Sequence, residues 1–103
     1  MIAESRRPSH RILYVGRDIT LPERLQGALE CHVIRCRGGS PARLLIRSDI
    51  KYSLLLFDEE QAEELVSLAL SLKHREHTPV VAFKESEGFD KLVYNVRQQL
   101  AGV

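Results

Sequence analysis

The chain has only two cysteines, almost no charge imbalance and no apolar run long enough to cross a bilayer, and each shortage removes a class of function. Cys31 and Cys36 are too few and too oddly spaced for a disulfide framework or a metal knuckle, and they read as two separate thiols. Fifteen basic against fourteen acidic side chains leave a net charge of +1 with the signs mixed, which argues against a nucleic-acid surface built on electrostatics. A membrane span needs about 20 consecutive apolar residues, and neither that nor a signal-peptide core is present, so the expectation is a cytoplasmic protein with no membrane partner. No Gly-x-Gly-x-x-Gly fingerprint, P-loop lysine motif or Ser/His/Asp arrangement follows a strand. The chain therefore carries no signature of a cofactor or of an enzyme with its own turnover.

What is present is one ordinary domain: 103 residues, 44% hydrophobic and 28% charged, enough for a modest core and too short for a second one. The basic stretch Arg6-Arg7-Pro8-Ser9-His10-Arg11 reads as a solvated leader over residues 1–10, with a nucleic-acid or membrane contact as the alternative. The domain itself runs over 11–103. Four short apolar segments are expected as strands: Arg11–Val15, Cys31–Cys36, Ser53–Phe57 and Pro79–Phe83. Helical signals separate them. Thr20-Leu-Pro-Glu23 has the form of a capping box, Ser40-Pro41 supplies a cap and a first-turn proline, and residues 60–75 carry Ala62, Leu65, Val66, Ala69 and Leu72 at helical spacing. Phe89, Leu92, Val93, Val96 and Leu100 line the buried face of a last helix.

Strand–helix alternation repeated four times implies a three-layer α/β sandwich on a small parallel sheet of the flavodoxin-like kind, with helices on both faces. In such a sheet, ligands and chemistry collect beyond the carboxyl ends of the strands. Tyr52-Ser-Leu-Leu-Leu-Phe-Asp58 delivers one acid there, which makes Asp58 the leading candidate site residue.

From Arg11 to Leu100 the chain resembles the receiver domain of two-component response regulators. Ile12-Leu-Tyr-Val15 matches the family's first strand. Asp58 falls where the third strand ends in the phospho-accepting aspartate, and Thr78-Pro-Val-Val-Ala-Phe-Lys84 matches the fourth strand. Phe89-Asp-Lys-Leu-Val-Tyr resembles the opening of the final helix. By this resemblance one α/β unit, the fourth helix and fifth strand, is missing. The acid pair that would hold Mg²⁺ is replaced by Gly16 and Arg17, with Asp18 one place beyond. Glycine and guanidinium supply no oxygen ligand, so no metal site is expected. Lys84 stands where the family has a Thr or Ser, or else is a displaced form of its lysine.

These residues set three expectations. The first is that Asp58 forms an ion pair or triad with Arg17 and Lys84 in the space a metal would use. A metal-independent phosphorylation of Asp58 and a bound anion near Gly16-Arg17 are the alternatives. The second is that the chain is a phosphorylation-independent pseudo-receiver working through protein–protein interaction, either the N-terminal regulatory domain of a larger signalling or transcription protein or a stand-alone adaptor. An atypical receiver with Asp58 as acceptor is the alternative. The third follows from the missing unit: apolar surface around the fourth strand and last helix, at Val80, Val81, Phe83, Phe89, Leu92, Val93 and Val96, should make a homodimer, with that helix possibly exchanged. Glu59, Glu60, Glu63 and Glu64 read as first-turn acids with a solvated face, and His74 and His77 as surface residues lacking a third metal ligand.

Overall fold

Four runs of apolar and β-branched residues pair side by side in the computed structural model, which describes residues 10–101. They are β1 (His10–Val15), β2 (Cys31–Cys36), β3 (Leu54–Asp58) and β4 (Val80–Phe83), in the order β2-β1-β3-β4 with every neighbour parallel. Parallel neighbours need crossovers, supplied by α1 (Leu21–Ala28), α2 (Gly39–Arg47) and α3 (Glu59–Leu70), and α4 (Phe89–Ala101) follows the last strand. The chain is a three-layer α/β sandwich of flavodoxin-like order, four units long. Among the described residues no strand pairs beyond β4, where a fifth strand lies in the 2-1-3-4-5 arrangement.

Strand side chains alternate between two cores. Ile12, Tyr14, Leu54, Leu56, Val81 and Phe83 face α1 and α4 and meet Leu21, Leu25, Leu92, Val96 and Leu100. Leu13, Val15, Leu55 and Phe57 face α2 and α3 and meet Ala42, Ile46, Leu65 and Ala69. Burial on both faces explains why β1 and β3 read as continuous apolar runs. The two cysteines, five apart on or beside one strand, fall one in each core; both are buried and free.

Several local expectations change. His10, placed in the leader by the sequence, is the first residue of β1; residues 1–9 of that leader lie outside the described residues. The Thr20 capping box does not form. The Thr20 hydroxyl donates to Asp18 Oδ1 at 2.6 Å and makes no bond to the helix amides. α2 begins earlier than Ser40, at Gly39, with Gly38 as its cap at φ 134°, a backbone state that a side chain would strain. The long helix expected over 60–75 stops at Leu70, and Lys73–Arg75 forms a separate 3₁₀ turn that carries the chain into β4. A second 3₁₀ turn, Glu85–Glu87, intervenes before α4.

Missing cover over β4 does not leave its apolar side chains bare. Val81, Phe83, Leu92 and Val96 are all buried in the core beneath α4, and Phe89 and Val93 pack against it; Val80 turns to the other face and packs there. With no fifth unit in the way, α4 closes directly over β3 and β4. The exposed large apolar residues are instead Ile19, Leu44, Leu70 and Tyr94.

Candidate functional site

β3 ends at the carboxyl edge of the sheet, and its last residue, Asp58, also occupies the cap position of α3. An aspartate there ordinarily turns its carboxylate onto the helix amides. Asp58 makes no such bond and reaches across to the loop after β1. Tyr14, with no exposed surface, donates its hydroxyl to Asp58 Oδ1 at 2.8 Å, and the Arg17 backbone amide donates to Oδ2 at 3.1 Å. The Asp18 amide donates in turn to the Tyr14 oxygen at 3.2 Å. The buried phenol and both oxygens of the half-buried carboxylate therefore each have a partner.

The loop is fixed from its other side as well. The Gly16 amide donates to the Cys36 carbonyl at 2.9 Å, and Arg35 Nη1 donates to the Gly16 carbonyl at 3.0 Å. Gly16 has no side chain for a steric reason: a Cβ built there would lie on the Tyr14 hydroxyl and the Asp58 carboxylate, far inside contact distance. Burial first, and then the bond to Asp58, push the Tyr14 hydroxyl well above the ordinary tyrosine range. It is a donor held protonated.

The expected triad is absent. The Arg17 guanidinium is exposed and lies 3.8 Å from Glu60, while the Lys84 ammonium lies 4.0 Å from Glu59. Both cations meet the first-turn acids of α3 instead of Asp58. The tyrosine and a backbone amide already occupy the carboxylate, and a phenol can be buried at lower desolvation cost than a guanidinium or ammonium. Asp18 also turns away: its carboxylate accepts from Thr20 and sits 3.8 Å from Arg24. The Thr20 hydroxyl is the main cause of its lowered pKa.

Above Asp58 opens a cavity of about 480 Å³ bordered by Asp18, Glu59, Glu60, Glu85 and Arg17. Acidic groups predominate, yet among the described residues no three His, Cys, Asp or Glu side chains come together as a metal-ligand set. A Mg²⁺ ligand set does not fit here, because the Tyr14 hydroxyl fills the space beside Asp58 and the neighbouring positions are Gly16 and the exposed Arg17. His77 is exposed beside Glu76, and His74 bonds the Ser48 carbonyl oxygen at 2.9 Å.

Sequence reasoning missed Tyr14 and Arg75. Tyr14 had a readable signal: a tyrosine inside a buried strand needs a partner for its hydroxyl, and alternation points it toward the strand end two residues before a glycine. Arg75 is 3% exposed and caps α2 from outside that helix. Its Nε donates to the Ile46 carbonyl at 2.8 Å and its Nη2 to the Ser48 carbonyl at 2.8 Å, and the guanidinium lies over the Tyr52 ring. No sequence spacing announces such a contact across 29 residues.

No family model, no curated protein and no solved structure matches this chain.

Proposed function

We propose that this chain is a pseudo-receiver, a phosphorylation-independent signalling module that acts through protein–protein contacts and belongs to a larger signalling or transcription regulator. One observation carries the reading: Asp58 stands at the carboxyl end of β3, in the acceptor position of the resemblance, with both oxygens occupied by Tyr14 and the Arg17 amide. A phosphoryl group arriving at Oδ1 would displace the buried tyrosine hydroxyl, and among the described residues no ligand set assembles there for the cation that normally balances phosphoryl charge. The carboxylate works as a strut between β3 and the β1 loop. The free edge of β4 is the proposed contact surface, used for a second copy of the chain in a cytoplasmic homodimer.

The test is intact mass after incubation with acetyl phosphate, with and without Mg²⁺, on the native chain and on Asp58→Asn. We expect no mass gain in either protein. A Mg²⁺-dependent gain of one phosphoryl group in the native chain, lost in Asp58→Asn, would overturn the reading and make the chain an atypical receiver with Asp58 as acceptor.

A further inference from the structure

At the opposite end of the sheet from Asp58, the turn between α2 and β3 and the 3₁₀ segment before β4 enclose a cavity of about 260 Å³, bordered by Lys51, Tyr52, His74, Arg75, Thr78 and Asp49. Two of these side chains are more than nine-tenths buried, and one of them carries a buried polar atom with no partner among the described residues. Tyr52 is 7% exposed, and its hydroxyl is buried with no hydrogen-bond partner among the described residues. Arg75 is 3% exposed; its Nε and Nη2 hold the carbonyls at the end of α2, and Nη1, which makes no hydrogen bond among the described residues, is not a sealed atom and is open to a ligand.

A buried guanidinium is ordinarily matched by a carboxylate, and a buried hydroxyl without a partner is destabilising. Among the described residues neither is matched: the Tyr52 hydroxyl has no partner, and no acid, Asp49 included, lies within salt-bridge distance of Arg75. Lys51 and Thr78 also border the cavity. The missing component has the properties of a small acceptor-rich anion, which would take a charge-assisted bond from Nη1 and a hydroxyl bond from Tyr52.

We propose that this cavity is a binding site for a small oxyanion of the phosphate or carboxylate class, separate from the Asp58 end and independent of the pseudo-receiver reading. Its walls come from two segments that follow different helices. Occupancy would therefore tie the end of α2 to the entry of β4.

The experiment is an amide and arginine-side-chain NMR titration of the full chain with inorganic phosphate and, separately, with acetate, at constant ionic strength set with sodium chloride. Saturable shifts at Lys51, Tyr52, Thr78 and Arg75 Nε are expected, phosphate alone or acetate alone identifying which oxyanion fits. Tyr52→Phe keeps the ring beneath Arg75 and removes only the hydroxyl; it should weaken binding about five- to tenfold, the worth of one hydrogen bond. Lys51→Glu on the exposed rim should weaken it as well. Absence of saturable shifts, shifts centred on Arg17, Arg37 and Gly38 at the other end, or affinities unchanged in both variants would each overturn the proposal.

Discussion

A carboxylate at the end of a buried strand needs donors, and Asp58 takes one from a phenol and one from a backbone amide. Removing the phenol hydroxyl leaves Asp58 Oδ1 and the Asp18 amide without that partner, so Tyr14→Phe should destabilise the chain by about 1–3 kcal/mol in urea unfolding. Gly16→Ala acts on the same bond from the steric side, and overpacking puts its cost at about 1–3 kcal/mol. Because both changes disrupt one contact, the double variant should lose less than the sum of the two; strict additivity would separate Gly16 from the Tyr14–Asp58 bond. The same hydroxyl sets a pH dependence. The unfolded chain releases a tyrosine proton from about pH 10 upward, whereas folded Tyr14 holds its proton to higher pH. Its contribution is therefore whole below about pH 10 and is lost as pH rises beyond that. Cys31, whose thiol burial pushes up to about 11, adds a loss of the same sign that begins lower. Unfolding free energies measured from pH 8 to 12 should fall with pH, and less steeply in Tyr14→Phe than in the native chain.

At the scale of the element, α2 is the helix most dependent on residues outside itself. It begins on Gly38 without a side-chain cap and ends on carbonyls that Arg75 and His74 satisfy from the segment after α3. A cation at a helix carboxyl end gains from the macrodipole, and here the gain comes with hydrogen bonds inside the structure. Arg75→Leu keeps apolar bulk but strands the Ile46 carbonyl and leaves the Ser48 carbonyl to His74 alone, with an expected loss of about 1–3 kcal/mol. Hydrogen exchange should show that loss as early opening of 44–48, ahead of β1 and β3. Arg75→Lys should rescue little, since one ammonium on a flexible stem does not reproduce a planar fork lying over Tyr52. Protection of 44–48 that is unaltered in Arg75→Leu would show that α2 closes without this cap.

For the whole molecule, the consequence of a sheet that ends at β4 is an edge with no partner strand among the described residues. The Leu55 amide donates to the Pro79 carbonyl, so alternation along β4 turns the Val80 and Ala82 backbone groups outward. Ala82 is also exposed on its side chain. α4 covers the apolar side chains, which leaves backbone hydrogen bonding as the main attraction at that edge. Sedimentation equilibrium of the native chain at high micromolar concentration should therefore show a monomer–dimer equilibrium. Ala82→Pro removes one outward donor at a position where an edge strand tolerates proline, and should shift the chain to monomer with unchanged urea stability. A native chain that stays monomeric would rule out the edge as a self-association surface. No helix among the described residues is long and apolar enough to cross a membrane.

The alternation of apolar strands with amphipathic helices was legible in the residues themselves, because a strand covered on both faces has to be apolar throughout and a covering helix has to repeat at 3.6. That was enough for the number of strands, their parallel sense, the separation of Cys31 from Cys36 and the position of Asp58 at a strand end. The partners of Asp58 were decided only in three dimensions. Charge alone favoured Arg17 and Lys84; the fold put a tyrosine of β1 on the same side of the sheet and left the two cations to the glutamates of α3. The Arg75 cap and the unmatched Tyr52 hydroxyl likewise depend on contacts between segments far apart in the chain. Periodicity reports which face of an element is buried, but hydrogen-bond partners are chosen by distance and desolvation among elements already packed together.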